Sequence, residues 1–222
     1  MRMTNTNNPK INMISQQIRT WGINDEKTLN AFIDIPRDEF VPNEYKNVAY
    51  SEVNIPLEND EVMLSPMIEA KILSELNIKP SDKVLEIGTG TGFLTALLAK
   101  QAQEVTSIDI HSDFIKKAKY KLKSKGIYNT RLITADGSKG FSKHGPFDVV
   151  VITGSMPELP QTFFDHLNIK GRLFAFLGNI HLPMMEATIF EKESDDKITQ
   201  KSLFETNIPP LKNIEQPEIF TF

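Results

Sequence analysis

Apolar residues recur along this chain in two rhythms. Ile14, Ile18 and Trp21 keep the spacing of one helical face and Gly22 closes the run. Leu29, Phe32 and Ile33 repeat that rhythm in a second helix, with Asn24 or Asp25 as its cap and Pro36 as its stop. Residues 35–42 read as an extended segment, and a third helix is predicted over residues 67–76. Short apolar runs then alternate with helical ones, giving strands over residues 84–87, 104–108, 130–134, 147–153 and 171–176. That alternation predicts an α/β fold with a doubly wound, mostly parallel sheet behind an N-terminal helical extension. Residues 187–192 and 198–204 flank the polar stretch 194–197 and predict a C-terminal antiparallel hairpin.

Composition narrows the picture. With 222 residues, 40% hydrophobic and 24% charged, the chain is long enough for one globular unit. Residues 1–10 are polar and aperiodic and read as a flexible tail; residues 11–66 form helices and a loop packed on the main domain of residues 67–222. Ile219, Phe220 and Phe222 are expected to pack down. A net charge of −4 argues against an extended nucleic-acid surface. The helix over residues 114–125 carries Lys116, Lys117, Lys119, Lys121, Lys123 and Lys125, with Ile115, Ala118 and Leu122 inward. It reads as a solvated face without arginines or interleaved exposed aromatics. No apolar run spans a bilayer and no signal-peptide core opens the chain, so a soluble cytoplasmic protein is expected. There is no cysteine, and His111, His144, His166 and His181 share no metal-ligand spacing; no metal site is predicted.

The chemistry concentrates in residues 83–100. A buried strand ends at Ile87 and runs through Gly88, Thr89, Gly90 and Gly92 into a helix whose Phe93, Leu94, Leu97 and Leu98 face the sheet. Alternate glycines open the backbone to a ligand. A dinucleotide fingerprint needs glycine at position 93, which is Phe93, and no Gly-Lys-Ser/Thr closes a phosphate loop. Glu86 lies at the end of the buried strand, where a carboxylate needs a partner, and Asp109 ends the next strand at about the spacing that puts an acid on a ribose diol.

This hydrophobic-Glu-hydrophobic-Gly-x-Gly-x-Gly pattern resembles the first motif of S-adenosylmethionine-dependent methyltransferases with a Rossmann-like fold. The resemblance implies S-adenosyl-L-methionine as cofactor, held by Glu86, Gly88, Thr89, Gly90, Gly92 and Asp109, with Asp136 and Gly137 beside the adenine. Gly22-Ile-x-Asp-Glu-x-x-Leu29 and Ile35-Pro-Arg-x-x-Phe40-Val further resemble the N-terminal region of the protein-L-isoaspartate O-methyltransferases. Thr153-Gly-Ser-Met-Pro157 and residues 207–211 resemble that family's cleft segments. The implied activity is methylation of the free carboxylate of L-isoaspartyl residues in damaged proteins, with Thr153 at the cleft and no nucleic-acid or membrane partner. A different acceptor, or cofactor binding without transfer, stands as the alternative.

One loop departs from the family. Its Gly-rich loop ends in Thr-Ile/Val-Ser-x-Pro; aligned on Pro66, Glu58 and Asp60 stand at the glycines, Val62 at the Thr and Leu64 at the Ser. Ser65 is left as the candidate hydroxyl for the acceptor carboxylate and is also the expected N-cap of the third helix. Glu58, Asp60 and Glu61 are expected to repel an anionic acceptor unless their side chains turn outward.

Overall fold

Two short antiparallel strands, β1 (Ile55–Pro56) and β2 (Val62–Met63), precede a seven-stranded sheet. Its strands are β3 (Lys83–Ile87), β4 (Glu104–Asp109), β5 (Thr130–Thr134), β6 (Phe147–Met156), β7 (Leu167–Leu177), β8 (Met185–Ser194) and β9 (Lys197–Thr206). They lie in the order β5-β4-β3-β6-β7-β8-β9; β3 to β7 run parallel, and β8 and β9 add antiparallel at one edge. The expected α/β sheet and C-terminal hairpin are both present. This computed structural model describes residues 8–178, 181 and 183–216; the expectation for residues 219–222 lies outside them.

The helices are α1 (Pro9–Asn12), α2 (Glu26–Asp34), α3 (Pro66–Leu76), α4 (Phe93–Ala99), α5 (Ser112–Ser124) and α6 (Thr162–Asp165). Alternate residues of β3 feed two cores. Leu85 and Ile87 join Ile108, Val150, Ile152, Leu173 and Ala175 on one face of the sheet. Val84 joins Leu97, Val105, Val149 and the N-terminal helices on the other. Burial of apolar side chains in this second core, at roughly 1.5 to 3 kcal/mol each, is what ties the extension to the sheet.

Four details depart from the sequence reading. The chain is already helical at Pro9, where the Asn8 side chain accepts from Lys10 N and Ile11 N. Met13–Ile18 is a π-helix, whose wider turn moves later residues off the buried stripe; Trp21, expected inward, is 52% exposed, and Ile33 of α2 is 42% exposed. The stretch expected to be extended contains a 3-10 turn, Arg37–Glu39, and Arg37 is buried. On α5 the inward residues are as expected, but Tyr120 is 78% exposed among the lysines, so an aromatic does interrupt that face.

Candidate active site

The sheet reverses its winding direction between β3 and β6, and a cleft opens there at the carboxyl ends of the strands, as open α/β sheets dictate. It encloses about 620 Å³, part of it open to solvent. Ile87, Gly88 and Gly90 form its floor, Asp109 and Ile110 one side, Asp136 and Gly137 the next, and Thr153 and Gly154 the far side.

Backbone geometry explains the floor. Gly88 and Gly90 have φ of +102° and +50°, where a side chain is strained. Gly88 N donates to Ile108 O at 2.8 Å, and Gly90 N donates to Asp109 Oδ2 at 2.9 Å. His111 N donates to the other oxygen of Asp109 at 2.8 Å. Asp109 therefore ties the glycine turn to the start of α5; burial raises its pKa and these two N–H groups lower it, with a net upward shift. Asp136 accepts from Ser138 N and, through Oδ2, from the Asn213 amide. Burial raises its pKa, yet those bonds outweigh it and the net shift is downward. Thr153 Oγ1 lies 3.0 Å from Ile87 O and 3.1 Å from Gly88 O, pinning β6 to the glycine turn.

The structure thus brings Gly88, Gly90, Asp109, Asp136, Gly137 and Thr153 around one cleft. Thr89 lies on a smaller recess behind the glycine turn, with Val62, Leu64 and Glu69, and its hydroxyl is 2.6 Å from Ser107 Oγ. Glu86 and Gly92 reach neither space. Side chains alternate along β3, so Glu86 points opposite to Ile87, into the α4 side. It is fully buried there, and Thr95 and Ser107 hydroxyls each donate to its Oε2 at 2.5 Å. Oε1 has no hydrogen-bond partner among the described residues, and burial pushes the carboxyl up to about 8. Gly92 serves packing: a Cβ there would meet Ala118 Cβ of α5 at 2.8 Å. Ser65 lines neither space. It precedes α3 at the N-cap position without a side-chain cap bond, while its N–H donates to Asn54 Oδ1 at 2.9 Å.

Side chains outside the cofactor motif complete the rim. Glu61 and Val62 overhang the cleft from one side, and Ile208, Pro209, Leu211 and Lys212 from the other. The latter segment is stitched to the end of β6: Ser155 N donates to Pro209 O at 2.9 Å, Leu211 N donates to Ser155 O at 2.8 Å, and Ser155 Oγ donates to Ile208 O at 2.8 Å. Glu58 pairs with Lys117 at 2.6 Å with both side chains more than half exposed, and Asp60 is exposed, so these two charges turn outward; Glu61 alone reaches the cleft. Beneath the rim, Arg37 is buried against Glu69, donates through Nε to Ala49 O at 2.9 Å and through Nη2 to Leu64 O, and lies 5.0 Å from the centre of the Phe93 ring. Burial pushes Glu69 up to about 8 against the pull of the Arg37 charge. Among the described residues no group of three or more His, Cys, Asp or Glu is placed to hold a metal.

A Rossmann-type sheet with a glycine turn, an acid at the end of β4 and a cleft at the β3/β6 reversal defines the class of Rossmann-like methyltransferases. The chain belongs to the protein-L-isoaspartate(D-aspartate) O-methyltransferase family, whose model matches residues 8–216. It is 35% identical over 199 residues to the protein-L-isoaspartate O-methyltransferase of Koribacter versatilis, covering 90% of this chain and 88% of that one. It is 38% identical over 166 residues to that of Methanoculleus marisnigri, covering 75% and 76%. In fold it is similar to a Plasmodium falciparum protein of that description solved with S-adenosyl-L-homocysteine, with a TM-score of 0.79, 20% identity and coverage of 93% and 99%.

Proposed function

We propose that this chain transfers a methyl group from S-adenosylmethionine to the free carboxylate of L-isoaspartyl residues, as a cytoplasmic enzyme of protein repair. The observation that carries this reading is the convergence of Asp109, Asp136 and the positive-φ glycine turn on one cleft, in a chain of this family.

The lining suits an adenosine ligand. Asp109 stands where a ribose diol would donate to it, Ile110 and Phe114 offer apolar walls to a flat ring, and Asp136 accepts hydrogen bonds at the far end. Gly88 and Gly90 let the chain approach the ligand's tail, and Thr153 holds that turn in place. Glu86 and Gly92 act from behind, fixing β3 and α4, while Ser65 shapes the start of α3. Once bound, S-adenosylmethionine supplies an electrophilic methyl group on a sulfonium. The acceptor carboxylate is ionised at neutral pH, so no general base is needed, and the protein's contribution is to align the acceptor and exclude water. Residues 61–62 and 208–212 are placed to do both.

The test is to incubate the protein with methyl-labelled S-adenosylmethionine and either an isoaspartyl peptide or its aspartyl twin. Base-labile methyl ester on the isoaspartyl peptide alone is expected. Ester on neither peptide, with the cofactor bound, would show that the acceptor is something else.

A further inference from the structure

We propose that Lys212 is the specificity-determining residue that receives the acceptor's carboxylate, and that Glu61 is its internal competitor. This rests on the methyl-transfer reading above. The charged side chains that line the cleft are Glu61, Asp109, Asp136 and Lys212. An anionic acceptor entering beside three carboxylates is repelled unless a cation receives it, and Lys212 is the one lysine or arginine among the described residues of the lining.

Other donors in the lining are already engaged or missing. The Thr153 hydroxyl sits between two backbone carbonyls, and Val62, on the facing rim, has no hydroxyl to offer. Lys212, in contrast, is held loosely. Its Nζ lies 3.6 Å from Glu61 Oε1, too long for a good hydrogen bond, and its side chain is 39% exposed. The same Glu61 oxygen lies 3.6 Å from His111 Nε2, a buried atom with no hydrogen-bond partner among the described residues. Glu61 is thus a carboxylate already placed across the mouth of the cleft, between two groups able to bind one. A substrate carboxylate that takes its place on Lys212 gives up little, because a long, partly solvated ion pair is weak. Glu61 can then turn to His111, which keeps the displaced charge off the acceptor.

Lys212 is carried by the segment stitched to β6 next to Thr153 and Gly154, so its position is fixed relative to the cleft floor. A Cβ on Gly154 would lie 2.9 Å from the backbone N and Cα of Leu211, which shows how closely the two segments approach. A cation on a backbone so anchored selects acceptors by charge without ordering a loop first.

The test uses the full chain with wild-type, Lys212→Ala, Lys212→Arg and Glu61→Gln forms. For each, S-adenosylhomocysteine affinity, isoaspartyl-peptide affinity of the loaded protein, and methylation KM and kcat are measured. Lys212→Ala should weaken peptide binding and raise KM about tenfold, with kcat and S-adenosylhomocysteine affinity unchanged. Lys212→Arg should recover most of the loss, and Glu61→Gln should lower KM about threefold. Unchanged peptide affinity in Lys212→Ala overturns the proposal, as does an equal loss of S-adenosylhomocysteine affinity, which would assign the lysine to the cofactor. A wild-type protein that makes no ester defeats the functional reading and this inference with it; a wild type that esterifies while Lys212→Ala matches it defeats only the role of Lys212.

Discussion

The floor of the cleft and the rim above it differ in how far apart in the chain their parts lie and in what holds them. The floor is built from strand ends and the turns that follow them, fastened by backbone N–H groups donating to Ile108 O and to Asp109. The rim joins residues 57–64 to residues 208–212, and its supports come from distant elements: Arg37 from below, the backbone and hydroxyl of Ser155 from β6, and the long contacts of Glu61. The floor's ties run between neighbouring strand ends and their turns, whereas the outer face of the rim is set by Glu61 and Lys212, whose exchange leaves those ties intact. Cofactor chemistry and acceptor choice can therefore vary independently in one fold.

The largest expected effect is on the rim's support. Arg37→Ala leaves Glu69 buried without its partner and should cost about 3 to 5 kcal/mol in chemical denaturation. Arg37→Met with Glu69→Leu should recover only part of this, because the carbonyls of Ala49 and Leu64 lose their donor. Wild-type stability in the single variant would show that the buried pair does not hold the rim.

Next is the floor. Asp109→Ala removes the acceptor for Gly90 N and His111 N together with a ligand contact, and should weaken S-adenosylmethionine binding by about 1.5 to 3 kcal/mol in calorimetric titration. Acceptor affinity in the S-adenosylhomocysteine complex, once saturated, should hardly change. Undiminished cofactor binding by the folded variant would remove Asp109 from the site.

Behind the floor, Glu86 titrates at about 8 when folded against an ordinary 4.5, raised by burial. Folding favours its protonated form, so this contribution to stability is present below 4.5 and lost as pH rises through 8. Between those limits wild type should lose about 1.4 kcal/mol per pH unit from this group relative to Glu86→Gln. Denaturation of both at pH 5.5 and 7.5 measures it, and parallel pH dependence would contradict the assignment.

The smallest effect concerns the outer loop. Glu58 and Asp60 point away from the cleft, so Glu58→Gly with Asp60→Gly should change the peptide KM less than about twofold. A larger fall would mean that their field does reach the acceptor.

The same division governs what could be read from the chain beforehand. Strands β3 to β7 and the glycine turn were legible because they rest on local periodicity and on glycines at positive φ. Asp109, Asp136 and Thr153 were legible because each lies at or near the carboxyl end of a strand. Glu86 was legible as a buried acid, but the face it occupies depends on strand register, and it turns from the cleft towards Thr95. Lys212 and the Arg37 to Glu69 pair were not legible as site parts, since each gains its meaning from a partner at least 32 residues away in contacts that no local spacing encodes; Glu61 was marked by its charge, but its place opposite Lys212 was not. The π-helical turn that exposes Trp21 likewise leaves no mark in a pattern of apolar positions.

Amide hydrogen exchange tests the division of floor from rim most directly, with S-adenosylhomocysteine added first and an isoaspartyl peptide second. The first addition should protect residues 87–90, 109–111 and 136–138, and the second should add protection confined to residues 57–64 and 207–212. Peptide-induced protection of the glycine turn with the rim unaffected would contradict the account.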